Sequence, residues 1–169
     1  MTKIVVVGDT HISHFKDIPN RIIKYCEDAD WVIHVGDYVT KHILEGFQNL
    51  KKANFKGVYG NADNLAVKNS LKPKEIIEIS NIRIGIIHPH FGGSNSFLEK
   101  RILKSFIHDN VQVILFGHTH DPTISVKNGI LLINPGKGYQ DSNSLKPEAT
   151  IALLKIENRI NAQILPIDK

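Results

Sequence analysis

The sequence predicts a mixed α/β fold with sandwiched sheet and flanking helices, and three observations carry that expectation. Short, continuous apolar runs end in glycine followed by a polar residue, at Gly8-Asp9, Gly36-Asp37, Gly60-Asn61 and Gly117-His118. Runs of this kind, apolar on every residue, belong to strands buried on both faces. Amphipathic helical stretches separate several of them. The chain then closes on two hairpin signals, Asn128-Gly129 and Asn158-Arg159, of which Asn-Gly is the stronger. Strand–helix units followed by hairpins suit layers of mixed sheet.

Each element follows from its own pattern. Lys3 to Gly8 is the first buried strand, and Asn20 to Asp28 is a helix after Pro19 with Ile22, Ile23 and Cys26 on one side. Trp31 to Gly36 repeats the strand. Thr40 is placed to cap a helix whose Ile43, Leu44, Phe47 and Leu50 fall at helical spacing. Phe55 to Tyr59 is a third strand. Glu75 to Ile79 and Arg83 to His88 pair around Ser80-Asn81-Ile82. Asn95 to Asp109 carries Leu98, Ile102 and Phe106 on one helical face. Val111 to Phe116 is again a buried strand, and Thr123 to Val126 pairs with Ile130 to Ile133. Thr150 to Ile156 pairs with Ile160 to Ile164.

Composition narrows the class. A chain of 169 residues fits a single domain, residues 1–169, with a full hydrophobic core. Hydrophobic residues at 41% and charged residues at 22% are ordinary globular proportions. No stretch approaches the ~20 apolar residues of a membrane span, and Met1 leads into Lys3-Ile4-Val5 without a cleavage pattern. The single cysteine, Cys26, cannot form an internal disulfide, which suits a reducing cytoplasm. The net charge of +4 is dispersed, with Lys51-Lys52 and Lys100-Arg101 the adjacent basic pairs. A nucleic-acid partner is therefore not expected. The sequence leaves a homo-oligomer open.

The chemistry is positional. Asp9, His11, Asp37, Asn61, His88, His118 and His120 all fall at the carboxyl ends of expected strands, the edge where α/β sheets bind ligands. In Asp9-Thr10-His11 and His118-Thr119-His120 the paired residues are two apart, so an extended backbone would aim both to one side. Any one motif alone could merely organise a turn. Imidazole and carboxylate together, without cysteine, favour Mn, Fe, Zn, Co or Ni over a thiolate zinc site. A carboxylate such as Asp37 can bridge two ions. Two divalent cations, offset by Asp9, Asp37 and a hydroxide, retain a net positive charge that attracts a phosphodiester.

The ordered set Gly-Asp-Thr-His, Gly-Asp, Gly-Asn-Ala-Asp, His-Pro-His and Gly-His-Thr-His resembles the calcineurin-like metallophosphoesterase superfamily. More narrowly it resembles the short prokaryotic phosphodiesterases of that superfamily, over nearly the whole chain, including Asn134-Pro135-Gly136. The resemblance implies a four-layer α/β/β/α sandwich and two divalent metal ions, manganese first among them, with nickel, iron, zinc or cobalt as alternatives. One ion would take Asp9, His11, Asp37 and His120, the other Asp37, Asn61, His88 and His118. The implied activity is hydrolysis of a small phosphodiester by a hydroxide activated between the metals. Asp37, Asn61, His88, Asp63 and His90 are its implied catalytic group. Two positions depart from the family pattern. Ala62 stands where many members have a histidine that protonates the leaving group, and Pro89 stands where glycine is common. Proline fixes φ and removes an N–H, which re-aims His90.

Competing readings follow from the same likeness. A non-catalytic scaffold of the retromer-subunit type shares the opening pattern, a phosphomonoesterase shares the metals, and DNA-repair nucleases share the motifs but add a capping domain. The remaining histidines read as structural. His34 lies in an apolar strand, and His14, His42 and His108 are exposed or helix-terminal, with His14 the one candidate for the site rim. Cys26 is a packing residue. Lys137 to Glu148 is a flexible loop near the site.

Overall fold

Ile4 to Val7 offers no polar position that could face water, and all four side chains are fully buried. In the computed structural model, which describes residues 1–90, 95–140 and 149–167, this run lies in strand β1, Thr2–Val7. The chain continues through α1 (Asn20–Asp28), β2 (Trp31–His34), α2 (Lys41–Lys51) and β3 (Phe55–Gly57). After the short helix α3 (Leu65–Lys68) come β4 (Lys74–Ile79), β5 (Ile82–Ile87), α4 (Asn95–Ser105) and β6 (Val113–Phe116). Two hairpins close it: β7 (Thr123–Lys127) with β8 (Ile130–Asn134), and β9 (Ala149–Ile156) with β10 (Ile160–Ile167).

The strands form two five-stranded sheets, ordered β10-β9-β1-β2-β3 and β4-β5-β6-β8-β7. In the first, β1, β2 and β3 are parallel; in the second, β5, β6 and β8 are parallel, and hairpin partners flank both sets. Period-two alternation splits each buried strand between two cores. Ile4, Val6 and Ile33 face Ile84, Ile86, Val113 and Leu115 between the sheets. Val5, Val7 and Val32 turn the other way onto Ile22 of α1 and Ile43, Leu44 and Phe47 of α2. On the far side, Ile114 and Leu132 pack under Leu98, Ile102 and Phe106, the first two from α4. The order of layers is α/β/β/α, as expected.

Boundaries shift for local reasons. β3 stops at Gly57, and Tyr59 instead donates its N–H to the Lys72 carbonyl at 3.1 Å. α4 ends at Ser105 rather than Asp109, leaving Ile107 in a turn and 69% exposed. Thr40 does occupy the N-cap of α2, but its hydroxyl donates to the Ser13 carbonyl at 3.1 Å and no side-chain cap bond forms. α3 was not expected: four residues are too few to show a period. Asn128 and Gly129 both adopt positive φ, 52° and 79°, the two-residue turn the sequence requested. Residues 141–148 of the loop expected from Lys137 to Glu148 lie outside the described residues. No helix among the described residues is long and apolar enough to cross a membrane.

Ile33, fully buried between the sheets, tests this packing. Ile33→Ala is expected to lower unfolding free energy by about 2–5 kcal/mol in urea titration.

Candidate metal centre

The parallel strands of both sheets deliver the expected ligand residues to one edge. Asp9 and His11 follow β1, Asp37 follows β2, and Asn61 follows β3; His88 follows β5, and His118 and His120 follow β6. The convergence is not achieved by extended backbone. Asp9, His11, Asp37, His118 and His120 all have positive φ, 48°, 45°, 60°, 84° and 59°. Each spaced pair thus converges through left-handed residues and not through strand alternation, which corrects the sequence-based geometry. Loop hydrogen bonds hold these conformations. The Asp9 N–H donates to Gly36 O (2.9 Å), Thr10 N–H to Asp37 O (3.1 Å), and His118 N–H to Asp9 Oδ2 (3.0 Å). Gly36, at φ 105°, has no room for a side chain, because a Cβ there would lie 2.5 Å from His88 Nδ1.

Asp9 and Asp37 are buried, at 0% and 2% exposure, and imidazoles surround them. Asp37 Oδ2 lies 3.3 Å from His11 Nε2 and 3.4 Å from His88 Nε2. Asp9 Oδ1 lies 3.3 Å from His120 Nε2, which is itself 3.2 Å from His11 Nε2. Asn61 Oδ1 completes the other half, 3.2 Å from His88 Nε2 and 2.9 Å from His118 Nδ1. Among the described residues, Asp9, His11 and His120, and Asp9, Asp37 and His88, form groups whose ligand atoms all lie within 4.8 Å.

These donors fit a cation. His88 Nδ1 is 2.8 Å from the Val35 carbonyl, which can only accept, so that nitrogen carries the hydrogen. In the neutral ring, Nε2 then turns a lone pair toward two further acceptors, Asn61 Oδ1 and Asp37 Oδ2. Lone pairs facing one another in this way call for a proton or a metal cation between them. Separations of 3.2–3.4 Å also match the edge of a tetrahedron with ~2.0–2.1 Å metal–ligand bonds.

The ionisation of these side chains shows the same demand. His11 is pushed up to about 9, first by its hydrogen bond to Asp37 and then by Asp9. Asp9 sits at about 2: burial raises it, but the His11 and His120 hydrogen bonds outweigh burial. Asp37 is lowered in the same way by His11 and His88. Burial works against a charged His88, yet its bond to Asp37 raises it overall. His118, mainly through burial, is lowered. Protons on His11 and His88 occupy the role a metal cation would take.

A second ring of groups fixes the first. Asp63, 4% exposed, accepts N–H bonds from Asp37 (3.1 Å), Val39 (2.7 Å) and Gly60 (2.7 Å). These three bonds to backbone tie the Asp37 loop to the Asn61 loop. Ala62 is exposed, and its N–H donates to Asp37 Oδ1 at 2.8 Å. His34 is fully buried, stacked at 3.8 Å on Tyr38, and held at about 3 by burial. It accepts from the Gly36 N–H at 3.2 Å, so its Nε2–H faces the Thr10 hydroxyl at 3.4 Å, which donates onward to Asp37 O at 3.2 Å. Asn134 donates to the Thr119 hydroxyl at 2.9 Å, between His118 and His120. His90 is exposed and adjoins residues outside the described set. Tyr139 was missed by sequence reasoning; its ring lies 5.8 Å from that of His11 and 6.2 Å from that of His120. An aromatic in a polar loop carried no pattern that could have found it.

The other histidines behave as expected. His14, His42 and His108 are exposed, and His42 Nδ1 accepts the Phe15 N–H at 3.2 Å. Cys26 is buried, and burial pushes its thiol up to about 12.

Residues 2–159 match the family described as the calcineurin-like phosphoesterase superfamily domain. The chain is 34% identical, over 98% of its length and 82% of the relative's, to a probable metallophosphoesterase of Methanocaldococcus jannaschii. It is 33% identical to a phosphodiesterase of the same organism, over 96% of this chain and 98% of that one. The vacuolar protein sorting 29 structure from Cryptosporidium parvum shares the fold, with TM-score 0.75 at 18% identity, covering 99% and 98% of the two chains.

The cluster sets a pH optimum for the metal-free protein. His11, raised from 6.5 to about 9, contributes stability that is complete below pH 6.5 and lost as pH rises through 9. His34, lowered from 6.5 to about 3, costs stability as pH falls from 6.5 toward 3, because the unfolded ring takes up a proton that the folded ring refuses. Melting temperature in excess chelator should therefore peak near pH 6.5, and His11→Gln should flatten the alkaline limb. A limb of unchanged slope would refute the assignment.

Proposed function

Because the chain belongs to the calcineurin-like phosphoesterase superfamily, we propose that it is a phosphodiesterase working with two divalent metal ions, manganese first. The observation that carries this reading is Asp37 Oδ2, placed 3.3 Å from His11 Nε2 and 3.4 Å from His88 Nε2. One oxygen shared between two imidazole sets is what a bridging carboxylate requires. Asp9, His11, Asp37 and His120 would hold one ion, and Asp37, Asn61, His88 and His118 the other. When bound, such a pair supplies Lewis acidity and a water that ionises near neutrality.

The chain's own residues do the rest. The Val35 carbonyl fixes the His88 tautomer so that Nε2 is free to bind, the usual second-shell control of a metal imidazole. Asp63 holds the Asp37 and Asn61 loops in register. Asp9 and Asp37 offset part of the cationic charge, and the remainder suits a singly charged diester. Asn61 and Ala62 are exposed, which opens this side to a small substrate. Ala62 has no proton to give, so departure of a poor leaving group is slow and activated esters are favoured. The 33% identical relative named a phosphodiesterase supports the diester over the monoester. The scaffold reading draws on shared fold and the opening motif; the complete donor set favours the enzyme.

The deciding measurement is hydrolysis of bis(p-nitrophenyl) phosphate and p-nitrophenyl phosphate by manganese-loaded protein. The diester should be cleaved faster, chelator should abolish turnover, and Asp37→Asn should lose more than about 100-fold, beyond the range of second-shell changes. Rates should fall on acidification as ligand histidines protonate. Activity indifferent to Asp37→Asn, or flat from pH 8 to pH 4, would overturn the reading.

A further inference from the structure

We propose that Lys68 anchors the substrate, its ammonium binding an anionic phosphate oxygen at the Asn61 corner of the centre; this rests on the phosphodiesterase reading above. Lys68 Nζ donates to the Asn61 backbone carbonyl at 3.2 Å. The side chain of that same Asn61 faces His118 Nδ1 at 2.9 Å and His88 Nε2 at 3.2 Å. The ammonium is therefore bound to the residue whose side chain faces the metal-type donors, on the exposed side.

Its position is built from below. α3 is only four residues long, but Asn64 caps it by accepting the Val67 N–H at 3.1 Å. The Asn64 N–H is itself tied to the Val39 carbonyl at 3.3 Å, and Val67 is fully buried. Lys68 N–H closes the turn on Asn64 O at 3.0 Å. The helix therefore cannot rotate the lysine away without unburying Val67. Half-burial of Lys68 restricts its arm further.

An ammonium has three N–H donors, and the Asn61 carbonyl occupies one. Asn61 and Ala62 are exposed, so water could satisfy that carbonyl, and the fold does not need a lysine there. What a lysine adds is a fixed positive charge beside Ala62, which contributes no polar side-chain atom. A charge that the substrate meets equally in the ground and transition states lowers KM more than it raises kcat.

The test uses inorganic phosphate as probe. Calorimetric titration of manganese-loaded wild type, Lys68→Gln and Lys68→Arg is paired with metal content, melting temperature and steady-state kinetics on bis(p-nitrophenyl) phosphate. Lys68→Gln should weaken phosphate binding about tenfold, the scale of one charge-assisted hydrogen bond. It should raise KM by a similar factor, with kcat, metal content and melting temperature near wild type. Lys68→Arg should recover most of the loss. Unchanged phosphate affinity in Lys68→Gln overturns the proposal, as does a loss of bound metal, which would make Lys68 a prop for Asn61. A metal-loaded wild type that cleaves no diester overturns the functional reading alone, since phosphate affinity still decides Lys68. A wild type that binds no metal overturns both.

Discussion

The rest of the structure turns on two carboxylates, Asp9 and Asp37, taken out of water side by side at the junction of two sheets. Buried like charges cost several kcal/mol per ion unless cations or donors answer them. Imidazoles from three strand ends, β1, β5 and β6, supply that answer, and so the sandwich must bring them to the edge where β2 delivers Asp37. The parallel pairing of β1 with β2 and of β5 with β6 does this. The apolar core between the sheets holds the two halves at that spacing. Packing and site are thus one problem: the sheets meet where the carboxylates need partners.

Much of this was legible in the sequence, for identifiable reasons. Buried parallel strands write themselves as unbroken apolar runs, so Ile4–Val7 and Val113–Phe116 were readable. Glycine before each polar residue marked where the chain must turn close to another group, as Gly36 does against His88. The candidate ligand residues were readable because histidines and aspartates recur together after buried strands, where any one alone could merely organise a turn. What was not legible is conformation within the loops. Two-residue spacing suggested an extended pair, whereas Asp9 and His11 converge through left-handed backbone. A four-residue helix such as α3 leaves no period, and neither Thr40's turn toward Ser13 nor Tyr139's approach to His11 has a local signature.

Asp63 shows how an acid near a motif can organise the loops that carry it. Its carboxylate gathers N–H groups from Asp37, Val39 and Gly60. Burial raises its pKa first, and the neighbouring Asp37 charge adds to that, while the N–H bonds from Gly60, Val39 and Asp37 oppose it. The same three bonds fix Asp37, Asn61 and, through Asn64 and Val39, the start of α3. A single acid between the loops therefore couples the Asp37 carboxylate to the Asn61 corner.

That coupling also explains where the backbone strain is kept. Outside the centre, the positive-φ non-glycine residues Lys52, Ser80, Asn81, Asn110 and Asn128 lie in turns or at an element end, and most are small polar types. At the centre the residues are Asp9, His11, Asp37, Val39, His118 and His120, and Val39, β-branched at φ 74°, is the most costly. Such conformations cost about 1–3 kcal/mol each and persist only where the surroundings over-determine them. A hydrogen bond to a charged group contributes about 1.5–3 kcal/mol, and Val39 donates one of 2.7 Å to Asp63. The two magnitudes are comparable, so the strained turn survives without a surplus to spare. Relaxing Val39 toward extended backbone would release its strain but withdraw an N–H from Asp63 and loosen the loop that carries Asp37. The strain is retained because the geometry of the donors depends on it.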